Sequence, residues 1–260
     1  MKVLTTAEEL ADFYGCAFVP TMGALHQGHA SLIEAARATG RPVVVSIFVN
    51  PKQFGVNEDL DRYPRTLDAD VALCESLGVS AVFAPSVEVI YPGAVPEISP
   101  GQLGSVLEGA ARPTHFQGVL TVVNRLFDLV KPKVAAFGKK DRQQLILIKK
   151  MVSDLDLGVE ILEGETVRDS DGLAMSSRNR FLTAEDRQRA LALPRALSAV
   201  AETSLADAAK YLDGLDVDYF VATDLELNPV PSGYRGPAIV LGAIRVGDVR
   251  LIDNMDVVLR

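Results

Sequence analysis

Short apolar runs alternate with segments of helical periodicity through the first two thirds of the chain. The run 43–49 is almost wholly apolar and rich in β-branched residues, as expected of a strand that is covered on both faces. The segment 119–130 instead repeats its apolar side chains every three or four residues, which predicts a helix packed on a core. Both patterns indicate buried elements.

The order of these elements predicts the fold class. Further strands are predicted at 16–19, 81–84, 134–138 and 159–162. Further helices are predicted at 6–13, 30–38 and 66–77, and another begins after Gly138 and continues to Leu155. The helix at 66–77 is expected to bury a stripe formed by Leu67, Val71, Cys74 and Leu77. Alternating strands and helices predict an α/β fold with a Rossmann-like, doubly wound parallel sheet and right-handed crossovers.

The pattern changes after residue 166. Thr183 is expected to cap a long helix that Pro194 kinks or divides. Strand signals return beyond Leu215, and Gly247-Asp248 between two apolar runs is a strong hairpin signal. We therefore expect a Rossmann-like domain at 1–166 and a smaller α+β domain, a lid, at 167–260.

Composition narrows the class of protein. Of the 260 residues, 48% are hydrophobic and 23% charged, as in an ordinary globular protein. The net charge of -8 argues against a general nucleic-acid binder. No apolar run approaches the roughly 20 residues that span a bilayer, and no apolar leader opens the chain. With two cysteines in apolar surroundings, we expect a cytoplasmic protein that binds neither nucleic acid nor membrane.

The loop after the predicted strand 16–19 contains two of the three histidines, His26 and His29. The strand before this loop breaks at Pro20, and the loop passes through glycines into a helix. Free backbone N–H groups and the positive end of the helix dipole meet there, which predicts an anion site. Imidazoles that donate hydrogen bonds and carry protons suit a phosphate that becomes five-coordinate during attack. Paired histidines are as often metal ligands or capping groups, but a third zinc ligand is hard to find because His115 is remote.

Polar side chains follow the run at 43–49. Asn50 and Gln53 lie just beyond the carboxyl end of that strand, where ligand contacts gather in open α/β sheets. Their uncharged donors and acceptors suit the hydroxyls of a small polar substrate, although an Asn-Pro turn with a solvated Gln is the alternative. Arg112 and His115 are expected either to meet an anion or carboxylate or to cap the following helix.

Two later stretches carry similar chemistry. At the junction between the predicted strand 134–138 and the helix after it, Lys140 can neutralise a phosphate and Asp141 can accept a hydrogen bond from ribose hydroxyls. Gln144 lies one turn later and faces the same side as Lys140. A solvated charge run at a helix start is the alternative. Ser176, Ser177 and Arg178 lie in an ordered loop at 166–179, where they could clasp a polyphosphate.

Taken together, these stretches resemble the pantothenate synthetase (pantoate–β-alanine ligase) family, in the HxGH nucleotidyltransferase superfamily. Any one motif is weak, but the ordered set is specific and spans nearly the whole chain. The matching segments are PTMGALHQGH at 20–29, FVNPKQF at 48–54, YPRT at 63–66, GKKDRQQ at 138–144 and DGLAMSSRN at 171–179.

The resemblance implies a two-step ligation. ATP and pantoate give pantoyl adenylate and pyrophosphate, and β-alanine then attacks the adenylate to release AMP and pantothenate. ATP is a co-substrate, and Mg2+ is implied as its counterion without a dedicated protein cage. The family is typically a homodimer, so dimerisation through the first domain is expected.

The resemblance also implies residue roles. His29 is the implied proton donor and His26 binds near the α-phosphate, with Lys140, Ser176, Ser177 and Arg178 completing the catalytic set. The implied ATP-binding residues are Met22, Gly23, Ala24, Leu25, His26, Gln27, Gly28, His29, Gly138, Lys139, Lys140, Asp141, Val167, Met175, Ser176, Ser177 and Arg178. Pantoate is implied to be held by Gln53 and Gln144, with Asn50 and Tyr63 shaping that end, and Arg112 and His115 to line the path of β-alanine.

Some features depart from the family pattern. The N-terminus and the segment 203–236 are short, and Lys139 stands where an acidic residue is common. The rival enzyme is a nucleotidyltransferase that activates another small acid, which the uncharged Gln53 and Gln144 disfavour. A nucleotide-sensing module without catalysis is the rival from another class, and two histidines with Lys140 argue against it.

Overall fold

The computed structural model describes residues 1–55, 58 and 60–260 of the chain. These residues form two compact units. The first comprises Met1–Lys139 and Gln144–Glu165, and the second comprises Lys140–Gln143 and Thr166–Arg260. The short stretch 140–143 therefore groups with the second unit, which the sequence pattern had not indicated. No helix within the described ranges is both long and apolar enough to span a bilayer.

The first unit contains a six-stranded sheet in which every pairing is parallel. Its strands are β1 (Lys2–Leu4), β2 (Ala17–Thr21), β3 (Val43–Ile47), β4 (Ala81–Phe83), β5 (Val134–Gly138) and β6 (Glu160–Gly164). They lie in the order β1-β4-β3-β2-β5-β6. The predicted α/β class and doubly wound parallel sheet are confirmed. The edge strand β1 was not predicted, because three residues are too few to show a periodicity.

Helices cover both faces of this sheet. They are α1 (Gln27–Ala38), α2 (Leu67–Ser76), α3 (Val87–Ile90), α4 (Glu108–Ala111), α5 (His115–Val130) and α6 (Arg142–Asp154), with 3-10 turns at Glu8–Phe13, Pro51–Gln53, Gln102–Ser105 and Lys139–Asp141. Phe18, Val44 and Phe83 pack with α5 and α6 on one face, whereas Val19, Val45 and Val82 pack with α1 and α2 on the other. Successive side chains of a strand point to opposite faces, so two apolar faces require the near-continuous apolar runs seen in the sequence.

The strand order places a switch point between β2 and β5. The chain runs outward from β2 through β3 to β4 and then returns to β5, on the other side of β2. In open α/β sheets ligands bind outside the carboxyl ends of the strands at such a point. The residues that follow Thr21 and Gly138 begin at this edge of the sheet.

The second unit packs helices on an antiparallel sheet. Its helices are α7 (Ala184–Ala190), α8 (Ala192–Ala199) and α9 (Leu205–Ala209), with 3-10 turns at Ser177–Phe181 and Lys210–Leu212, and its strands are β7 (Asp216–Thr223), β8 (Gly236–Val246) and β9 (Val249–Leu259). Thr183 caps α7 through the Asp186 amide, and the long helix predicted from there is divided at Leu191. The hairpin at Gly247-Asp248 is confirmed, with Gly247 at a φ of 56°.

Candidate active site

His26 and His29 cap the N-terminus of α1 reciprocally. His26 is the N-cap residue, and its Nδ1 accepts the Gly28 amide at 3.1 Å. Three residues on, the Nδ1 of His29 accepts the His26 amide at 3.2 Å. The ring centroids lie 4.1 Å apart and both side chains are half-buried. This is the geometry of a capping box, with imidazoles in place of the usual hydroxyl and carboxylate.

The caps fix the tautomer of both rings. A ring nitrogen that accepts an amide N–H carries no proton, so the single proton of each neutral ring lies on Nε2. Protonation of Nδ1 would place two N–H donors face to face. The capping contacts therefore place the ring proton of both side chains on Nε2.

Gly28 is required by the position of the His26 ring. A Cβ at Gly28 would meet Cε1 of that ring at 2.9 Å and Nδ1 at 3.0 Å. Atoms at these distances overlap, so any side chain would displace the ring or its cap. The glycine between the histidines is thus explained by packing.

Three amides that precede the histidines already have acceptors within the protein. The Gly23 amide donates to Thr21 Oγ1 at 3.2 Å, and those of Ala24 and Leu25 donate to the carboxylate of Asp70 at 2.9 and 2.8 Å. These three amides are therefore not available to an anion in this structure, and the anion site predicted at the N-terminal end of α1 stays a prediction.

Asp70 is the residue that the sequence pattern missed. The apolar stripe predicted for α2 includes Leu67 and leaves Asp70 out. Instead Leu67 is 43% exposed, whereas Asp70 is 3% exposed on the same helical face as Cys74. Asp70 and Cys74 are four residues apart and so share one face of the helix, and this spacing is the signal that could have indicated a buried carboxylate.

Asn50 orients the amide of Gln53. Its Nδ2 donates to Gln53 Oε1 and to the Gly118 carbonyl, both at 3.1 Å, and its Oδ1 accepts from Tyr91 Oη at 2.8 Å. The Nε2 of Gln53 is thereby turned toward Met22 Sδ, at 2.9 Å. Asn50 is 1% exposed and satisfied within the protein, so it can shape a site through Gln53.

Arg112 and His115 hold the backbone of Gln53. The Arg112 guanidinium pairs with Glu58 through two hydrogen bonds and donates to the Gln53 carbonyl at 3.3 Å. Nδ1 of His115 lies 2.9 Å from the same carbonyl and must donate to it, so Nε2 accepts from Arg112 at 3.2 Å. The implied place of these two side chains on the path of β-alanine is not tested by these contacts and stays a prediction.

Burial and charge shift the titration of this cluster. Burial, reinforced by the Arg112 charge, lowers the pKa of His115 to about 4, so the ring is neutral at pH 7. Burial alone would raise the pKa of Glu58, but the hydrogen bond and charge of Arg112 outweigh it and lower that pKa. Tyr63 lies nearby, 7% exposed, with its ring edge-on to Phe54 at 5.8 Å.

The second junction begins at the end of β5. Lys139 pairs with Glu165 in the first unit. In the second unit the Lys140 carbonyl accepts from Asn254 Nδ2 at 2.9 Å, and Lys140 Nζ lies 3.9 Å from Asp141. Gln144 is half-buried on α6.

Ion pairs hold the loop at 166–179 within the second unit. Arg168 forms a forked pair with Asp253 at 2.6 and 3.0 Å, and Asp253 is 3% exposed. Arg187 donates to Asp169 and Asp171 at 2.7 Å, and this hydrogen bonding lowers the pKa of Asp171. Further residues of the loop are held by their backbone: the Val167 carbonyl accepts the Met175 amide at 2.9 Å, and Ser176 caps the turn Ser177–Phe181 through the Arg178 amide.

Comparison with known proteins places this arrangement in a family. The model of the pantoate–β-alanine ligase family matches residues 2–256. A pantothenate synthetase of Nocardioides sp. is 54% identical, over 98% of this chain and 84% of the relative. One of Thermobifida fusca is 48% identical, over 99% and 96%. The chain belongs to the pantoate–β-alanine ligase family.

Solved structures of this ligase family have the same fold. A pantothenate synthetase from Thermus thermophilus superposes with a TM-score of 0.91 at 44% identity, covering 98% of this chain and 99% of the other. The ligase from Francisella tularensis, described as complexed with β-γ ATP and β-alanine, gives 0.85 at 35% identity, covering 98% and 97%. The predicted family is therefore confirmed over nearly the full length.

Proposed function

We propose that this chain joins pantoate to β-alanine with consumption of ATP, through pantoyl adenylate. A carboxylate is a poor acyl donor because its leaving group would be oxide, and adenylation supplies AMP as a better one. Family membership over residues 2–256 supports the reaction, as does the ATP and β-alanine complex of the Francisella relative. The release of AMP and pyrophosphate follows from this chemistry.

The reciprocal cap of His26 and His29 carries the proposal. Because both Nδ1 atoms accept amides, the Nε2–H groups are the ring atoms that we assign as donors to phosphate oxygens as charge develops. We assign His26 to the α-phosphate region. The proton-donor role of His29 needs a proton on Nε2, where the cap leaves it.

Pantoate is assigned to the glutamines. Asn50 holds Oε1 of Gln53, so we assign the Nε2 side of the amide, which donates to Met22 Sδ in this structure, to the carboxylate or a hydroxyl of pantoate. Gln144 supplies the second amide, and Tyr63 shapes the same end of the first unit. Uncharged donors fit a hydroxy acid better than a phosphorylated substrate.

ATP is assigned to the residues that follow β2 and β5 and to the loop of the second unit. Lys140 and Arg178 provide positive charge for phosphates, and Asp141 accepts from the ribose. Further proposed ATP contacts are Met22, Gly23, Ala24, Leu25, Gln27, Gly28, Gly138, Lys139, Val167, Met175, Ser176 and Ser177.

The remaining assignments concern the ion, the assembly and the compartment. Among residues 1–55, 58 and 60–260, no group of three or more His, Cys, Asp and Glu side chains is arranged to hold a metal ion. We propose that Mg2+ accompanies ATP and is coordinated by its phosphates and by water. We further propose a cytoplasmic homodimer.

The test is ATP–pyrophosphate exchange with the purified chain. Exchange is expected to require pantoate and not β-alanine, and addition of β-alanine should give pantothenate and AMP by mass spectrometry. Exchange with other small acids but not pantoate would favour the rival nucleotidyltransferase. Binding of ATP with no exchange at all would favour a sensor.

A further inference from the structure

The carboxylate of Asp70 occupies the concave side of the loop that precedes the two histidines. Its Oδ1 accepts the Leu25 amide at 2.8 Å and its Oδ2 accepts the Ala24 amide at 2.9 Å. Thr66 Oγ1 donates to the same Oδ2 at 3.1 Å. Two consecutive amides that converge on one anion form the concavity that elsewhere binds phosphate. Here the protein supplies the anion itself.

The backbone around this contact is strained. Ala24 has a φ of 50° in the left-handed region, although it is not a glycine and is 2% exposed. Such a conformation is unfavourable for a residue with a Cβ and persists only where its surroundings hold it. Gly23, with a φ of 85°, packs so closely that a Cβ would lie 3.0 Å from Asp70 Oδ2. The two hydrogen bonds to Asp70 are what hold the Ala24 conformation.

The strained residue lies directly before the capping box. The peptide after Leu25 carries the His26 amide, and that amide donates to His29 Nδ1. Any rotation at Ala24 or Leu25 therefore turns the donor that orients the His29 ring. The His26 ring follows, because its own cap depends on the same turn entering α1.

We propose that Asp70 is a positioning residue for adenylation: by accepting the Ala24 and Leu25 amides it fixes the direction of both imidazole Nε2–H groups. Asp70 acts through the main chain and not on the reacting atoms. This inference rests on the proposed function for its kinetic part, whereas its structural part concerns the rings alone. It also explains why a carboxylate is buried at a position where α2 otherwise buries apolar groups.

The variant Asp70→Asn tests the proposal, because it keeps the shape and removes one of the two acceptors. Asp68→Asn is the matched control, since it removes the same charge from the first turn of the same helix at an exposed position. A displacement of about 1 Å in an active site costs roughly 10²-fold in rate. We expect kcat for pantoate-dependent exchange to fall by roughly that factor in Asp70→Asn, with little change in Asp68→Asn.

A readout without substrate separates this inference from the proposed function. The chain has three histidines, and their ring tautomers are resolved by NMR of protein labelled with 15N-histidine. His26 and His29 should give the Nε2–H pattern and His115 the Nδ1–H pattern in the unaltered chain. In Asp70→Asn the first two signals should shift or show mixed tautomers, while His115 stays unchanged as the internal reference.

The outcomes are distinct. Unchanged His26 and His29 signals together with exchange within about twofold of the unaltered chain would overturn the positioning role. If the unaltered chain shows no exchange but the signals shift as expected, the proposed function fails and the structural inference stands. Should Asp70→Asn fail to fold, Asp70→Glu keeps the charge but displaces the carboxylate from the Ala24 and Leu25 amides. The same two signals must then shift with His115 fixed, and their constancy would overturn the proposal.

Discussion

The loop at 22–29 and the loop at 166–179 are held by opposite means. In the first, imidazoles and one buried carboxylate accept backbone amides, and His26, His29 and Asp70 make all of these contacts within the first unit. In the second, arginine–carboxylate pairs fasten the loop, one of them to the buried Asp253 and the others through Arg187, which keeps 31% of its side chain exposed. Amide contacts fix orientation at short range, whereas exposed ion pairs weaken with salt. The contacts of the first loop therefore orient the two imidazole rings, whereas those of the second hold the loop in place.

The largest expected effect separates capping from chemistry at His29. His29→Gln keeps an acceptor for the His26 amide, as in a usual capping box, but removes the imidazole. We expect kcat for exchange to fall about 10²–10³-fold, the usual cost of one lost donor to developing charge. His29→Ala should lose the same activity and, in addition, about 1 kcal/mol of unfolding free energy. Equal activity of His29→Gln and the unaltered chain, measured by exchange, would contradict this division of labour.

Acid should destabilise the first unit through His115. Its pKa is about 4 when folded and about 6.5 when unfolded, so the unfolded chain binds more protons between these values. Stability is therefore present above pH 6.5 and declines as pH falls toward 4, by at most about 3 kcal/mol. Urea unfolding across this range measures the slope.

The control is His115→Asn, whose amide can donate to the Gln53 carbonyl without titrating. Glu58 also loses stabilisation in acid because its folded pKa is lowered, and it does so in both proteins. The variant should show a shallower slope than the unaltered chain between pH 6.5 and 4. Identical slopes would mean that His115 does not contribute.

In the second unit, Asp253→Asn should cost about 2–3 kcal/mol of unfolding free energy, as for a lost hydrogen-bonded charge. Asp253 is buried, so Arg168 is left with a neutral partner. Asp256→Asn provides the comparison, because Asp256 pairs with Arg142 but is 51% exposed. That variant should cost less than about 1 kcal/mol. Equal costs in chemical denaturation would show that burial does not set the strength of these pairs.

The smallest effect is expected at Arg187. Arg187→Gln removes the pairs with Asp169 and Asp171, and we expect a loss of roughly 0.5–1 kcal/mol at low salt. The loss should shrink at high salt, because exposed charges are screened. Arg189→Gln, on the same helix with a looser pair of 3.7 Å to Asp186, serves as the control. A loss of unfolding free energy that does not change with salt would contradict the expectation that the Arg187 pairs are screened by solvent.

Much of the fold follows from local pattern. The apolar runs predicted the interior strands, and the period of 119–130 predicted α5, whose apolar side chains are buried. The stripe on α2 was partly wrong, since Leu67 is exposed and Asp70 buried. A ten-residue helix has few turns, so one polar residue with distant partners is enough to rotate its buried face.

Sequence motifs identified the candidate residues, but they did not predict which contacts those residues make. The sequence leaves open whether the paired histidines cap a helix or bind a ligand, and the structure shows that the Nδ1 atoms of both cap α1. Asn50 and Gln53 were expected side by side at a strand end, yet the hydrogen bond between them decides which way the Gln53 amide points. The role of each residue in catalysis stays a prediction until it is measured.

The sequence by itself determined the alternation of strands and helices, the two strand-to-helix junctions and the family, because these depend on residue type and on spacing within a few turns. Only the tertiary structure decided which nitrogen of each imidazole carries its proton, which anion fills the loop, and that Lys140–Gln143 groups with the second unit. Asp70 lies 46 residues from Ala24. Contacts over such separations depend on how the elements pack, and no local pattern records them.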